Sequence, residues 1–291
     1  MKASPFQARF NSDSTQVTSW SGLHGSSLAL ALLSAARDHR GITLVVARSS
    51  HQSQLLARDL QLLSVSPLPV LQFPDHETLP YDLFSPHPDI IAQRLKTLAS
   101  LASLQQGILL VPVSALAQRL PPAEHILQRS FNLAVGQSLV MDEFRQRLQH
   151  IGYQSSEQVY QTGQFAIRGS VMDLFPSGSN TPIRLDLFDE EIDSIRNFDP
   201  ESQRSTGKVE KIALIPAREY PCNETALDDF RRAFRYRFDV DTRNIVLYQD
   251  LRTGIHPQGL EQYLSLFYPE TSCLLDYLPG QLPSPPQLIL Q

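Results

Sequence analysis

Residues Gly163 to Asp199 read GQFAIRGSVMDLFPSGSNTPIRLDLFDEEIDSIRNFD, and the spacing of their apolar residues decides how this part of the chain folds. Between Ile183 and Phe188 the alternation is strict. In an extended strand successive side chains point to opposite faces, so Ile183, Leu185 and Leu187 share one face and Arg184, Asp186 and Phe188 share the other. The stretch reads as three strands, two of which carry an arginine on one face. One face packs and the other meets water or a partner. Alternation alone fits both an ordinary half-wet sheet, where single exposed apolar residues are normal, and a protein-binding patch, where aromatic and Arg anchors dominate the energetics.

The 291 residues suffice for two domains or three small ones, each with its own core. The two cysteines, Cys222 and Cys273, are far apart and lack a second Cys or His at zinc-ligand spacing, so neither a disulfide framework nor a metal site is expected. The opening MKASPFQARFNSDSTQ lacks the apolar run of a signal peptide, and no later run approaches a membrane span; the expected setting is a reducing cytoplasm. The formal net charge is −5, with Asp186, Asp189, Glu190, Glu191 and Asp193 crowded together. That balance argues against a dedicated nucleic-acid binder, which normally presents a basic face.

Upstream, the runs ITLVVA (Ile42 to Ala47), LPVLQF (Leu68 to Phe73) and GILLVPV (Gly107 to Val113) have the length and β-branched content of buried parallel strands. Helical segments Ser27 to His39, Ser50 to Leu63 and Asp89 to Leu104 alternate with them, which predicts an α/β layer with crossover connections. Pro121-Pro122 breaks the chain. A second unit follows, with a strand at Phe131, a helix carrying Val140, Phe144, Leu148 and Ile151 that stops at Gly152, and then the quoted strands. From Cys222 a third segment holds a helix capped by Asn223 or Thr225, with Leu227, Phe230, Phe234 and Phe238 as its apolar stripe. NIVLYQ (Asn244 to Gln249) reads as a further strand, and LPGQLPSPPQLILQ as a linker or chain end. The expected domains are 1–128, 129–216 and 217–291.

The catalytic motifs sought in this chain are missing. Gly22-Leu23-His24-Gly25-Ser26-Ser27-Leu28-Ala29 sits before the first helix, where a phosphate-binding loop would sit. Such a loop needs a late Gly, a Lys for the β and γ phosphates and a hydroxyl for magnesium. Ser27, Leu28 and Ala29 occupy those positions, so negligible ATP hydrolysis is expected there, with only a weak anion contact left to the helix start. No HExxH or GxSxG is present. His76 with Asp75 and Glu77, and His87, fall in a proline-dense segment that reads as an ordered loop. Asp189, Glu190 and Glu191 read as a solvated turn, and Arg231, Arg232 and Arg235 as a wet helix face, with phosphate binding the alternative.

LPYDLFSPHPDIIAQRL (Leu79 to Leu95), GILLVPV, GQFAIRGSVMDLFP and RLDLFDEEIDSIRNFD, in this order, closely resemble the N-terminal region of bacterial transcription-repair coupling factor (Mfd), and the central strands also look like the excision-repair protein UvrB. The resemblance implies a degenerate P-loop, RecA-like parallel-sheet domain with an inserted smaller α+β domain, together a UvrB-like module. It implies UvrA as partner, with contacts at Arg168 in FAIRG, Arg184 in PIRLD and Phe188 in DLFDEE. It implies no catalytic residue and no cofactor here, with ATP, magnesium, RNA polymerase and DNA handled by other parts of a longer protein, and with a C-terminal domain masking the UvrA face. Two rival expectations stand beside this: an ATP-dependent enzyme with an unconventional nucleotide site, and a DNA-binding module acting through Arg231, Arg232 and Arg235.

Overall fold

The computed structural model describes residues 19–64, 68–80, 82–253, 256–280 and 286–290, so the amino-terminal stretch lies outside the described residues. The first elements are α1 (Ser27–Asp38), β1 (Ile42–Ala47), α2 (Ser50–Leu63), β2 (Val70–Gln72), α3 (Pro88–Leu101) and β3 (Gly107–Pro112). Every residue of β1 and β3 is buried, as expected of strands covered on both faces. Ser49 caps α2, its side chain accepting from the Gln52 N–H. Pro112 ends β3, and Val113 already belongs to the short helix α4 (Val113–Leu116).

The middle of the chain forms α5 (Ala123–Arg129), β4 (Phe131–Ala134), α6 (Met141–His150), β5 (Gln154–Ser155), β6 (Gln164–Arg168), β7 (Val171–Leu174), β8 (Ile183–Phe188), β9 (Glu191–Phe198), β10 (Ser205–Val209) and β11 (Lys211–Leu214). The stretch opened with above therefore makes four strands, not three, because Gly169 at φ +62° folds FAIR back against VMDL as its own hairpin. Then come α7 (Glu224–Phe238), α8 (Val246–Arg252) and β12 (Gln287–Leu290).

Two of these elements correct the sequence reading. NIVLYQ is not a strand: a short 3-10 turn at Thr242–Asn244 leads into α8, with Asp241 accepting from the Arg243 N–H and the Gln249 amide donating to the Thr242 carbonyl. Tyr248 and Leu251, three apart, are thereby buried in one cluster with Phe230 and Phe234. The chain's tail is not a linker at Gln287–Leu290, which pairs in parallel with β1; residues 281–285 lie outside the described set.

The chain divides into two compact units, one drawn from residues up to Asp75, Ser100–Gln118 and Leu274 onward, the other from His76–Ala99 and Arg119–Cys273. The first is a mixed α/β unit with an all-parallel sheet in the order β12-β1-β3-β2. Ala29, Leu32 and Leu33 of α1 and Leu56 and Leu60 of α2 pack with Val45, Ile108 and Leu110 of the sheet.

The second unit holds a sheet in the order β10-β9-β8-β7-β6-β5, antiparallel except at β5, and a separate β4-β11 ribbon. Its core joins Phe144 and Leu148 of α6 to Met172, Leu174, Ile183, Leu185, Ile192 and Ile195 on one face of the larger sheet. Each such side chain contributes about 1.5–3 kcal/mol by leaving water. Gly152 closes α6 at φ +92°, and a Cβ there would come within 2.5 Å of the Arg218 Cγ, so both backbone and space demand glycine. Asn223 caps α7, its side chain accepting from the Ala226 N–H at 3.2 Å.

Candidate functional site: the charged face of the antiparallel sheet

With one face of the sheet filled by α6, the opposite face collects the alternate residues. Register places Arg168 beside Val171, Val171 beside Asp186 and Asp186 beside Ser194. The next row runs Ala166, Asp173, Arg184, Arg196 and Lys208. A bulge gives β9 one extra residue, Asp193, between the partners of Asp186 and Leu187. The buried and open positions of β8 still alternate through it, so Arg184 and Phe188 share a face as their spacing predicts.

The expected contact residues differ in how free they are. Phe188 ends β8 with three quarters of its surface exposed, next to the turn of Asp189 and Glu190, where Asp189 sits at φ +52°. Arg168 is exposed and donates one N–H to the Glu157 carbonyl at 2.7 Å. Arg184 is half-buried and already forked: its Nε and Nη2 donate to the two Asp173 carboxylate oxygens at 2.6 and 2.8 Å, and its guanidinium lies 5.0 Å from the centre of the Phe198 ring. Asp173 is only 3% exposed, so this pair is planted in the sheet. The fork that an arginine can offer a partner carboxylate is therefore taken, along this edge of Arg184, by a carboxylate of the same domain.

Sequence reasoning missed Asp173 and Arg196. Arg196 donates to Asp186, which also accepts from the Ser194 hydroxyl at 2.9 Å. Alternation carries the signal for both: Ser194, Arg196 and Phe198 repeat every second residue, as do Val171 and Asp173. Phe198 is buried on this side with Val159 and Ala166, giving the charged row a small apolar floor. Arg168, Asp173, Arg184, Asp186 and Arg196 line a groove of about 370 Å³.

The other motifs lie elsewhere. Gly22 and Gly25 adopt positive φ before α1, the Ser27 hydroxyl donates to the His24 carbonyl at 2.7 Å, Leu28 packs on the parallel-sheet core and Ala29 is fully buried. His76 is hydrogen-bonded to Glu219 at 3.0 Å, and Arg94 donates to the other oxygen of Glu219 at 2.7 Å. Burial raises the Glu219 pKa, but Arg94 and His76 lower it further, to about 2. Ser85 donates to Glu261, and the Gln262 amide to Thr78, so the proline-dense loop is pinned by side chains. Arg231 and Arg232 pair with Asp228 and Asp229 on α7, and Arg235 lines the same surface cleft as these four residues.

Residues 131–220 match the family described as the UvrB interaction domain. Over a longer span the chain is similar to transcription-repair-coupling factors. It is 41% identical over 254 residues to that of Haemophilus influenzae, covering 87% of this chain and 22% of the relative. With the Escherichia coli protein the identity is 40% over 259 residues, 89% of this chain and 22% of the relative. With the Bacillus subtilis protein it is 30% over 272 residues, 89% and 23% respectively. The chain thus spans less than a quarter of the length of the curated relatives it matches.

Proposed function

We propose that this chain, which matches the UvrB interaction domain over residues 131–220 and is similar to transcription-repair-coupling factors over most of its length, is a recruitment module that docks UvrA and so links a stalled RNA polymerase to nucleotide excision repair. The observation that carries this reading is Phe188: a large aromatic, three-quarters exposed, at the rim of an arginine-lined face inside the matched domain. A solvated Phe gains apolar contact only when something covers it, and a partner pocket does so while the neighbouring arginines fix its orientation.

In this reading the parallel-sheet unit is a RecA-like domain that has lost its nucleotide site. Leu28 stands at the phosphate-binding lysine's position and contributes to the core instead, and Ala29 has no hydroxyl for magnesium. The module then needs no cofactor and has no catalytic residue. ATP, DNA and RNA polymerase fall to other parts of the longer cytoplasmic protein. A C-terminal domain of that protein covers the UvrA face until the polymerase is engaged, so this segment alone binds UvrA more tightly than the intact protein does.

Calorimetric titration of UvrA into this chain tests the reading. Binding that is saturable, and weakened about tenfold or more by Phe188→Ala, is the expected result. Unchanged affinity in both Phe188→Ala and Arg184→Ala removes the site assignment.

A further inference from the structure

Within that docking reading, on which this inference rests, we propose that the groove between β6 and β9 is a receptor for a carboxylate of the partner, with Arg196 and Arg168 as its donors and Asp173 as the residue that holds Arg184 in place. Charge and hydrogen-bond capacity carry the argument. The groove holds Arg168, Arg184 and Arg196 against the carboxylates of Asp173 and Asp186, which leaves positive charge in excess. Asp173, buried, takes both forked donors of Arg184, so that arginine is a fixed wall rather than a probe.

Arg196 is the less committed cation. Its one side-chain hydrogen bond among the described residues runs from a terminal N–H to Asp186, which leaves the other terminal amine, as well as the buried Nε–H, without an acceptor. Asp186 divides itself between Arg196 and the Ser194 hydroxyl. Arg168 uses one N–H on a backbone carbonyl and is otherwise exposed. A carboxylate entering here meets planar donors with hydrogen bonds to spare, above an apolar floor of Phe198 and Ala166 that keeps the local dielectric low. A cationic side chain would meet three like charges. Asp186 is then an internal stand-in, holding Arg196 until the partner's carboxylate arrives.

The test is UvrA affinity by calorimetry with four single variants, at low and moderate salt. Phe188→Ala and Arg184→Ala report on the docking reading, and Arg196→Gln and Asp186→Asn on the carboxylate receptor. We expect Arg196→Gln to weaken binding about tenfold and to flatten its salt dependence, and Asp186→Asn to tighten binding about threefold by releasing Arg196. Thermal unfolding of each variant separates lost affinity from lost folding. If Phe188→Ala weakens binding while Arg196→Gln leaves it unchanged, the receptor is wrong and docking survives. Unchanged or weaker binding by Asp186→Asn also overturns it, since a groove built for a cation needs that carboxylate. If no variant alters affinity, the docking reading itself fails.

Discussion

The antiparallel unit contains two arginine–carboxylate pairs with nearly the same closest approach, one single-pronged and one forked, and opposite use. Arg94 meets Glu219 at 2.7 Å with both side chains at most 1% exposed, whereas Arg184 meets Asp173 at 2.6 Å with the arginine 21% exposed. The first pair joins residues far apart in sequence and is sealed from any partner. The second joins neighbouring strands and shows one edge to water. A sealed pair holds chain segments together, and its loss is felt as instability. A pair buried only at its acidic end also holds its arginine still at a surface, which lowers the ordering entropy a partner must otherwise supply.

Substitutions can break this contrast. Arg94→Ala should have the largest effect, about 3–5 kcal/mol of stability by chemical denaturation, because Glu219 loses a buried counter-charge; a loss below about 1 kcal/mol would dissolve the distinction. Acid should act through the same region. His125 is held down to about 4 by burial and by nearby Arg129, so its neutral form favours the fold. That contribution is full above the ordinary imidazole value of 6.5 and drains away as pH falls toward 4. Glu219, depressed to about 2, adds a second loss between its ordinary 4.5 and 2. Unfolding midpoints across pH should fall in those two windows, and His125→Gln should flatten the upper one.

Arg184→Ala comes next, at about 1–3 kcal/mol of stability plus lost UvrA affinity, since it leaves Asp173 buried without its fork. Replacing both partners, with Arg184→Met and Asp173→Asn, should restore much of the stability and none of the affinity. Phe188→Ala should do the reverse of Arg94→Ala: stability within about 0.5 kcal/mol and affinity down by about 1–3 kcal/mol. Arg232→Ala, which breaks an exposed ion pair, should cost under about 0.5 kcal/mol and leave DNA gel shifts at their weak baseline.

How much of this was legible follows from how far apart the decisive residues lie. β1, β3 and α2 announce themselves through local composition and cap chemistry, and β8 through alternation, because one strand or helix turn contains the whole signal. NIVLYQ misleads because Ile245, Val246 and Leu247 satisfy strand propensity, while the Gln249–Thr242 bond and the burial of Tyr248 with Phe234 decide for helix. Phe188 and Arg168 were readable as exposed. The clamp on Arg184 was not, because it depends on which residue of β7 lies opposite, and register is a property of paired strands. Glu219, Arg94 and His76 meet only in three dimensions, so no spacing rule finds them.

β12 carries a consequence for how the protein is made. On one edge Thr43 finds its partner only at Gln287, so β1, six buried residues without a charge, must wait through synthesis of everything between them for the strand that covers that edge. Until then its unpaired backbone is a sticky template for other nascent copies. A truncation that stops before Gln287 should therefore express mainly as aggregate, even though every residue of the antiparallel sheet is present.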